Sequence, residues 1–175
     1  MKIVAFAASS SENSINKQLV TYAAGLLNEA DVEILDLNDY ELPLFSVDKE
    51  AELGSPELAA KFYEKLGSCD AIMISFAEHN GSYSAAYKNL FDWCSRINQK
   101  LFQNKPMVML ATSPGARGAQ TVLATAVGSA SYFAGDVKAS VSVPSFQDNF
   151  DSATGAITNA ELAEEIKAAV QKLVA

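Results

Sequence analysis

Residues 70–76 read Asp70-Ala71-Ile72-Met73-Ile74-Ser75-Phe76, and residues 106–112 read Pro106-Met107-Val108-Met109-Leu110-Ala111-Thr112. Both runs are almost continuously apolar. A strand with one solvated face alternates; a strand covered on both faces does not, so these runs predict central strands sandwiched between helices. Outward from them, Lys2–Ala7 predicts another buried strand through Ile3, Val4 and Phe6, Asp31–Asp36 predicts one through Val32, Ile34 and Leu35, and Val137–Val143 predicts a weaker, alternating one. Helical patterns lie between and after these strands. Ile15, Leu19, Tyr22, Ala23, Leu26 and Leu27 recur at helical spacing over about residues 14–28. Ser55-Pro56-Glu57 reads as a helix start, with Ser at the N-cap and Pro at the first position, for a helix that runs to about Leu66. A further helix passes through Tyr87, Leu90, Phe91 and Cys94, and a small-residue helix spans about 119–132. Thr158-x-x-Glu161 reads as a capping box opening a last helix with Leu162, Ile166, Val170 and Leu173 on one face. Residues 38–53 carry Pro43 and no period, which predicts a loop with a short turn of helix.

Alternation of strand and helix calls for a parallel sheet with helices on both faces, an α/β/α sandwich. Right-handed crossovers leave few topologies. Five strands in a chain of this length suit the flavodoxin-like order 2-1-3-4-5. The 175 residues show no internal repeat and no linker, so one domain over 1–175 is expected.

Apolar residues make up 49% and charged residues 19%, a globular composition. Against 13 Lys and Arg stand 21 Asp and Glu, a net charge of −8. That balance argues against nucleic acid, which attracts basic patches, and against a polybasic membrane anchor. No apolar run reaches the roughly 20 residues of a membrane span. Cys69 and Cys94 are too few for a disulfide framework and sit among apolar residues, and the single histidine, His79, excludes a His-rich metal cluster, so no metal is expected. A soluble, cytoplasmic protein is the expectation.

In a doubly wound sheet, ligands bind beyond the carboxyl ends of the strands, at the switch point between the first and third. Three loops there carry candidate chemistry. The first, Ala8 to Asn16, is rich in Ser and Asn and leads into a helix, whose free N–H groups attract an anion such as phosphate. The same residues suit a helix cap alone. It has neither a G-x-G-x-x-G fingerprint nor a Walker A pattern. The second, Ala77-Glu78-His79-Asn80-Gly81-Ser82, contains an Asn-Gly turn whose exposed backbone can read the edge of a flat heterocycle. The third, Ser113-Pro114-Gly115-Ala116-Arg117-Gly118-Ala119, has two glycines that allow close backbone approach to a ligand, and it opens a helix; an ordinary strand-to-helix turn has the same composition.

The three loops together resemble the NADPH-dependent FMN reductase family, which includes quinone, azo and chromate reductases. Ala8, Ser9, Ser11, Ser14 and Asn16 are similar to a G-S-x-R-x-x-S-x-N motif; residues 77–82 and Tyr87 to Trp93 to P-E-Y-N-x-S and L-K-N-x-x-D-W; and Ser113, Gly115 and Gly118 to S-x-G-x-x-G-G. The chain departs from the pattern at Ala8, Ser11, Ala77, His79 and Ala119. The resemblance implies an FMN-dependent oxidoreductase using NADPH or NADH as co-substrate and a flavin, quinone or similar small molecule as acceptor. It places FMN phosphate against Ser9, Ser11, Ser14, Ile15 and Asn16. It places the ring between Glu78, His79, Asn80 and Gly81 on one side and Ser113, Gly115, Ala116, Arg117 and Gly118 on the other. It assigns no catalytic side chain, because the cofactor carries the chemistry. It further implies a homodimer or homotetramer, with Tyr83, Tyr87 and Trp93 either at the interface or in the core. A flavodoxin-type FMN electron carrier, and a protein of this fold that has lost FMN, are the alternatives.

Overall fold

The computed structural model describes residues 1–174. In chain order the elements are β1 (Lys2–Ala8), α1 (Ile15–Gly25), β2 (Asp31–Leu35), α2 (Val47–Leu53), α3 (Glu57–Gly67), β3 (Ala71–Phe76), β4 (Glu78–His79), β5 (Ser82–Tyr83), α4 (Ala85–Ile97), β6 (Lys105–Thr112), α5 (Gln120–Ala130), β7 (Gly135–Val143), α6 (Phe146–Asn149), β8 (Phe150–Asp151), β9 (Ala156–Ile157) and α7 (Ala160–Gln171). The five long strands form one parallel sheet in the order β2-β1-β3-β6-β7. With the two-residue strands set aside this is the expected 2-1-3-4-5.

Every residue of β3 is buried, as the unbroken apolar run requires. Val4, Phe6, Ile72, Ile74, Met107 and Met109 meet Phe62 and Leu66 of α3, Leu90 and Trp93 of α4 and Val122 of α5 on one face. Ile3, Ala5, Met73, Val108 and Leu110 meet Leu19 and Val20 of α1 and Ile166 and Val170 of α7 on the other. Each fully buried aliphatic side chain contributes about 1.5–3 kcal/mol, so the double-faced core dominates stability. Among the described residues no helix is long and apolar enough to cross a membrane.

Several local expectations are corrected. Residues 38–53 hold more helix than the one short turn expected: a 3-10 turn at Leu37–Tyr40 is followed by α2, capped by Ser46. Asn89 and Trp93 on α4 pin the intervening segment, Asn89 Oδ1 accepting from Phe45 N at 2.8 Å and Trp93 Nε1 donating to the Pro43 carbonyl at 2.7 Å. α3 begins one residue later than expected, with Pro56 rather than Ser55 at the N-cap and no capping side chain. Thr158 does not cap α7; Asn159 does, accepting from the N–H groups of Glu161 and Leu162. Tyr87 and Trp93 are core residues, and Tyr83 packs on Phe76 and Tyr87.

Both cysteines are buried, and burial pushes the Cys94 thiol up to about 12. Since the thiolate is the nucleophile, these thiols are inert in the folded state. We expect no alkylation of either by iodoacetamide at pH 8 until the protein is denatured. Cys94→Ser is expected to lower stability by about 1–3 kcal/mol through burial of a more polar group, read from urea unfolding, with little change in any activity of the folded fraction.

Candidate functional site

The carboxyl ends of β1, β3 and β6 open onto a cleft of about 280 Å3. Ser9, Ser11, Ser14, Ile15 and Asn16 line it from the first loop, Glu78 and His79 from the second, and Ser113 from the third. Asn80, Gly81, Gly115, Ala116, Arg117 and Gly118 lie in the same two loops but do not line it. Asn13, Ala77, Thr112 and Pro114 also line it, though the sequence reading gave them no ligand contact.

Ser14 is the N-cap of α1, its Oγ accepting from Lys17 N at 3.2 Å, and Ser9 Oγ accepts from Ser11 N at 3.2 Å. A hydroxyl that accepts still holds a proton to donate. The hydroxyl protons of Ser9, Ser11 and Ser14 have no acceptor among the described residues. The N–H groups of Ile15 and Asn16 head α1 without a partner there, and the helix has no acidic residue in its first turn. That end of the cleft is therefore a cluster of neutral donors at the positive end of a helix. No lysine or arginine lines the cleft. Lys17 turns away to pair with Asp36, and that hydrogen bond, with one from Asn38 N–H, holds the Asp36 carboxyl below its usual range.

Asn16, which the resemblance sets against phosphate, does not turn its side chain into the cleft as a donor. Its Nδ2 donates to the Thr112 carbonyl at 3.1 Å, and its Oδ1 accepts from Thr112 N at 3.0 Å and from Ser75 Oγ at 2.8 Å. Thr112 Oγ1 continues the chain to the Val143 carbonyl at 2.7 Å. Only the backbone N–H of Asn16 remains for a ligand.

The second loop is a β-hairpin. Glu78 pairs with Tyr83 and His79 with Ser82, and Asn80 and Gly81 form the turn with φ of 52° and 75°. Two successive positive φ values suit the right-handed strand twist and explain the Asn-Gly pair. Just beyond the hairpin, Ser84 Oγ donates to the Ala8 carbonyl at 2.8 Å, tying it to the first loop. At its start, Glu78 Oε2 accepts from Val122 N in the first turn of α5 at 2.8 Å.

The third loop is fastened from behind. The Gly115 carbonyl accepts from Gly118 N and Ser145 N, and the Ser113 carbonyl accepts from Phe146 N. Gly118 has φ of +57°, and a Cβ there would lie 2.5 Å from Ser142 Oγ and 2.9 Å from the backbone at 143–144. Its glycine is required by packing against the end of β7, not by ligand approach. Gly115 is different, because a Cβ there meets nothing nearer than Ser113 Oγ at 3.9 Å. Arg117 is exposed and its guanidinium donates to Thr121 Oγ1 at 2.9 Å.

Residues 1–148 match the family model described as NADPH-dependent FMN reductase. The chain is 30% identical over 119 residues to an NAD(P)H-dependent FMN reductase of Pseudomonas aeruginosa, covering 67% of this chain and 63% of that protein. It is 28% identical over 125 residues to an NADPH:quinone oxidoreductase of Arabidopsis thaliana, covering 69% of this chain and 62% of that protein. The matches thus span less than two thirds of either relative. In fold it is similar to the flavoenzyme NAD(P)H:acceptor oxidoreductase FerB from Paracoccus denitrificans, with a TM-score of 0.82 and 22% identity over 99% of this chain and 94% of that one. With the match running from the first strand to the segment behind the third loop, the chain belongs to the NADPH-dependent FMN reductase family.

Proposed function

We propose that this protein is an FMN-dependent NAD(P)H oxidoreductase, with residues 1–175 forming one flavin-binding domain. The observation that carries the reading is the open N-terminus of α1 in the cleft: unpartnered N–H groups at Ile15 and Asn16 beside the serine hydroxyls of the first loop. These residues fit a phosphate, since neutral donors and a helix terminus bind one without a cation. The cleft, at about 280 Å3, falls just short of the roughly 300–1,000 Å3 usual for ligand pockets. It therefore accounts for the phosphate end of FMN, with the ring toward Glu78–Gly81 and Ser113–Gly118. Bound there, FMN would supply two-electron redox chemistry between NADPH or NADH and a quinone, flavin or similar acceptor. The protein's own part is to bind and orient. Ser9, Ser11 and Ser14 hold the phosphate, and the braced walls keep the ring edge in register.

The two buried thiols suit the reducing cytoplasm. We further propose a homodimer or homotetramer. Leu44 is 80% exposed and Val47 73% exposed, and α2 buries no side chain. Leu44→Asp with Val47→Asp is expected to shift the protein to a monomer in light scattering; a wild-type protein already monomeric at micromolar concentration would sink the assembly.

The reading is tested by incubating the purified protein with FMN. A retained flavin spectrum and steady oxidation of NADPH or NADH with a quinone are expected. Retained flavin without NAD(P)H oxidation would favour an electron carrier instead, and no retained flavin would overturn both.

Ser14 tests the phosphate position. A hydrogen bond to a charged group contributes about 1.5–3 kcal/mol, so Ser14→Ala is expected to weaken FMN by roughly ten- to a hundredfold. Ser14→Asp keeps a good N-cap, so the fold is expected to remain as stable, yet a carboxylate beside a phosphate dianion is expected to abolish binding. Near wild-type FMN affinity in folded Ser14→Asp protein would remove the phosphate from this end of the cleft.

A further inference from the structure

The first turn of α5 lacks a local cap. Its N-cap residue, Ala119, is left-handed at φ 60° and carries no side-chain oxygen. An uncapped first turn leaves backbone N–H groups without acceptors. The acceptor comes from elsewhere in the chain: Glu78 Oε2 takes the Val122 N–H at 2.8 Å. Glu78 also lines the cleft. The carboxylate thus bridges the second loop, which it begins, and the helix that the third loop opens.

What this bridge joins differs in rigidity. The third loop is held from behind by the Gly115 and Ser113 carbonyls and by Gly118 seated against β7. The hairpin 78–83 has only two residue pairs of its own. Isolated hairpins are marginal in water, so this one depends on its anchors. On its far side the anchors are the Tyr83 ring on Phe76 and Tyr87 and the Ser84 hydroxyl on the Ala8 carbonyl. Tyr83 also bonds the Ser129 side chain, farther along α5; on the near side, beside the cleft, the Glu78 carboxylate is the bond that reaches the first turn of that helix.

We propose that Glu78 is a positioning residue: its carboxylate, by capping α5 from the hairpin, locks the second and third loops together and sets the width of the cleft between them. Its relevance to the flavin rests on the FMN reading above. This role differs from direct contact with the ring edge, since the oxygen that faces α5 is already engaged.

The experiment compares Glu78→Ala, Glu78→Gln and Glu78→Asp with wild type, by amide exchange on the apoprotein and by FMN titration. Gln keeps an acceptor oxygen of the same reach, Asp is one methylene short of it, and Ala has none. In Glu78→Ala and Glu78→Asp, exchange at residues 78–83 is expected to quicken about tenfold or more, together with that at Val122, and FMN affinity to fall about tenfold. Glu78→Gln is expected to return both to within about threefold of wild type, because the amide oxygen still accepts. Glu78→Asp decides the matter if Glu78→Ala does not fold. Faster exchange confined to the first turn of α5, with residues 78–83 at the wild-type rate, would overturn the proposal by reducing Glu78 to a helix cap. Glu78→Gln as impaired as Glu78→Ala would overturn it as well, because the acceptor oxygen would then not be what joins the loops. A wild-type protein that takes up no FMN would remove the functional reading, while exchange on the apoprotein would still decide whether Glu78 couples the two loops.

Discussion

Asn16 is 2% exposed, and its carboxamide exchanges two hydrogen bonds with the backbone of Thr112 while accepting a third from Ser75. Thr112 is the last residue of β6, where the sheet ladder ends and the backbone needs partners from elsewhere. Asn16 supplies them from the first turn of α1. The helix that opens the cleft is thereby fixed to β3 and β6, and through the Thr112 hydroxyl to β7. Leaving a buried donor or acceptor unpaired costs about 1–3 kcal/mol. Loss of this one side chain strands several such groups together. The donor cluster around Ser14 keeps its place relative to the third loop because this network admits one arrangement.

The sheet was legible because its signal is thermodynamic and repeated. Ala71–Phe76 and Met107–Thr112 are apolar throughout, and only burial on both faces accommodates that. The helix starts were less legible for a local reason. Ser55 and Thr158 have the chemistry of caps, yet the chain enters α3 and α7 one residue later, at Pro56 and Asn159. Which of two neighbouring residues takes the extended N-cap conformation is settled by how the preceding segment docks, not by side-chain type. α2 buries nothing, so no apolar period announces it. The strands of the 78–83 hairpin are too short to show alternation, although the Asn80-Gly81 pair is the strongest short-range sign of such a turn.

At the site, residue types were legible and their partners were not. Ser14 is both a helix cap and a cleft residue, as either reading of it required. Asn16 looked like a ligand donor because a carboxamide at a helix start beside a phosphate loop has that chemistry. Its actual partner lies 96 positions away in the chain, beyond the reach of any local pattern. Gly118 looked permissive for a ligand, yet its missing Cβ makes room for Ser142 and for the backbone after β7. The resemblance sets Glu78 beside the ring, and nothing local in the sequence points to its partner, Val122 N–H, 44 positions away. Only the crossing of the hairpin over α5 gives it a role.

Two long helices, α1 and α5, begin at loops that line the same cleft, and each start concentrates partial positive charge. They are not equivalent. α5 has its anion already, the Glu78 carboxylate on Val122 N–H, so a second negative group there meets like charge. α1 has no acidic residue in its first turn, and its cap is a neutral serine that keeps a proton to donate. The nearest lysine, Lys17, is neutralised by Asp36. An anionic ligand entering the cleft is therefore drawn to α1 and turned from α5, with no arginine or lysine needed to choose between them. For the proposed FMN, that asymmetry orients an otherwise flexible molecule: phosphate at Ser14, and the ring toward the loops that Glu78 holds together.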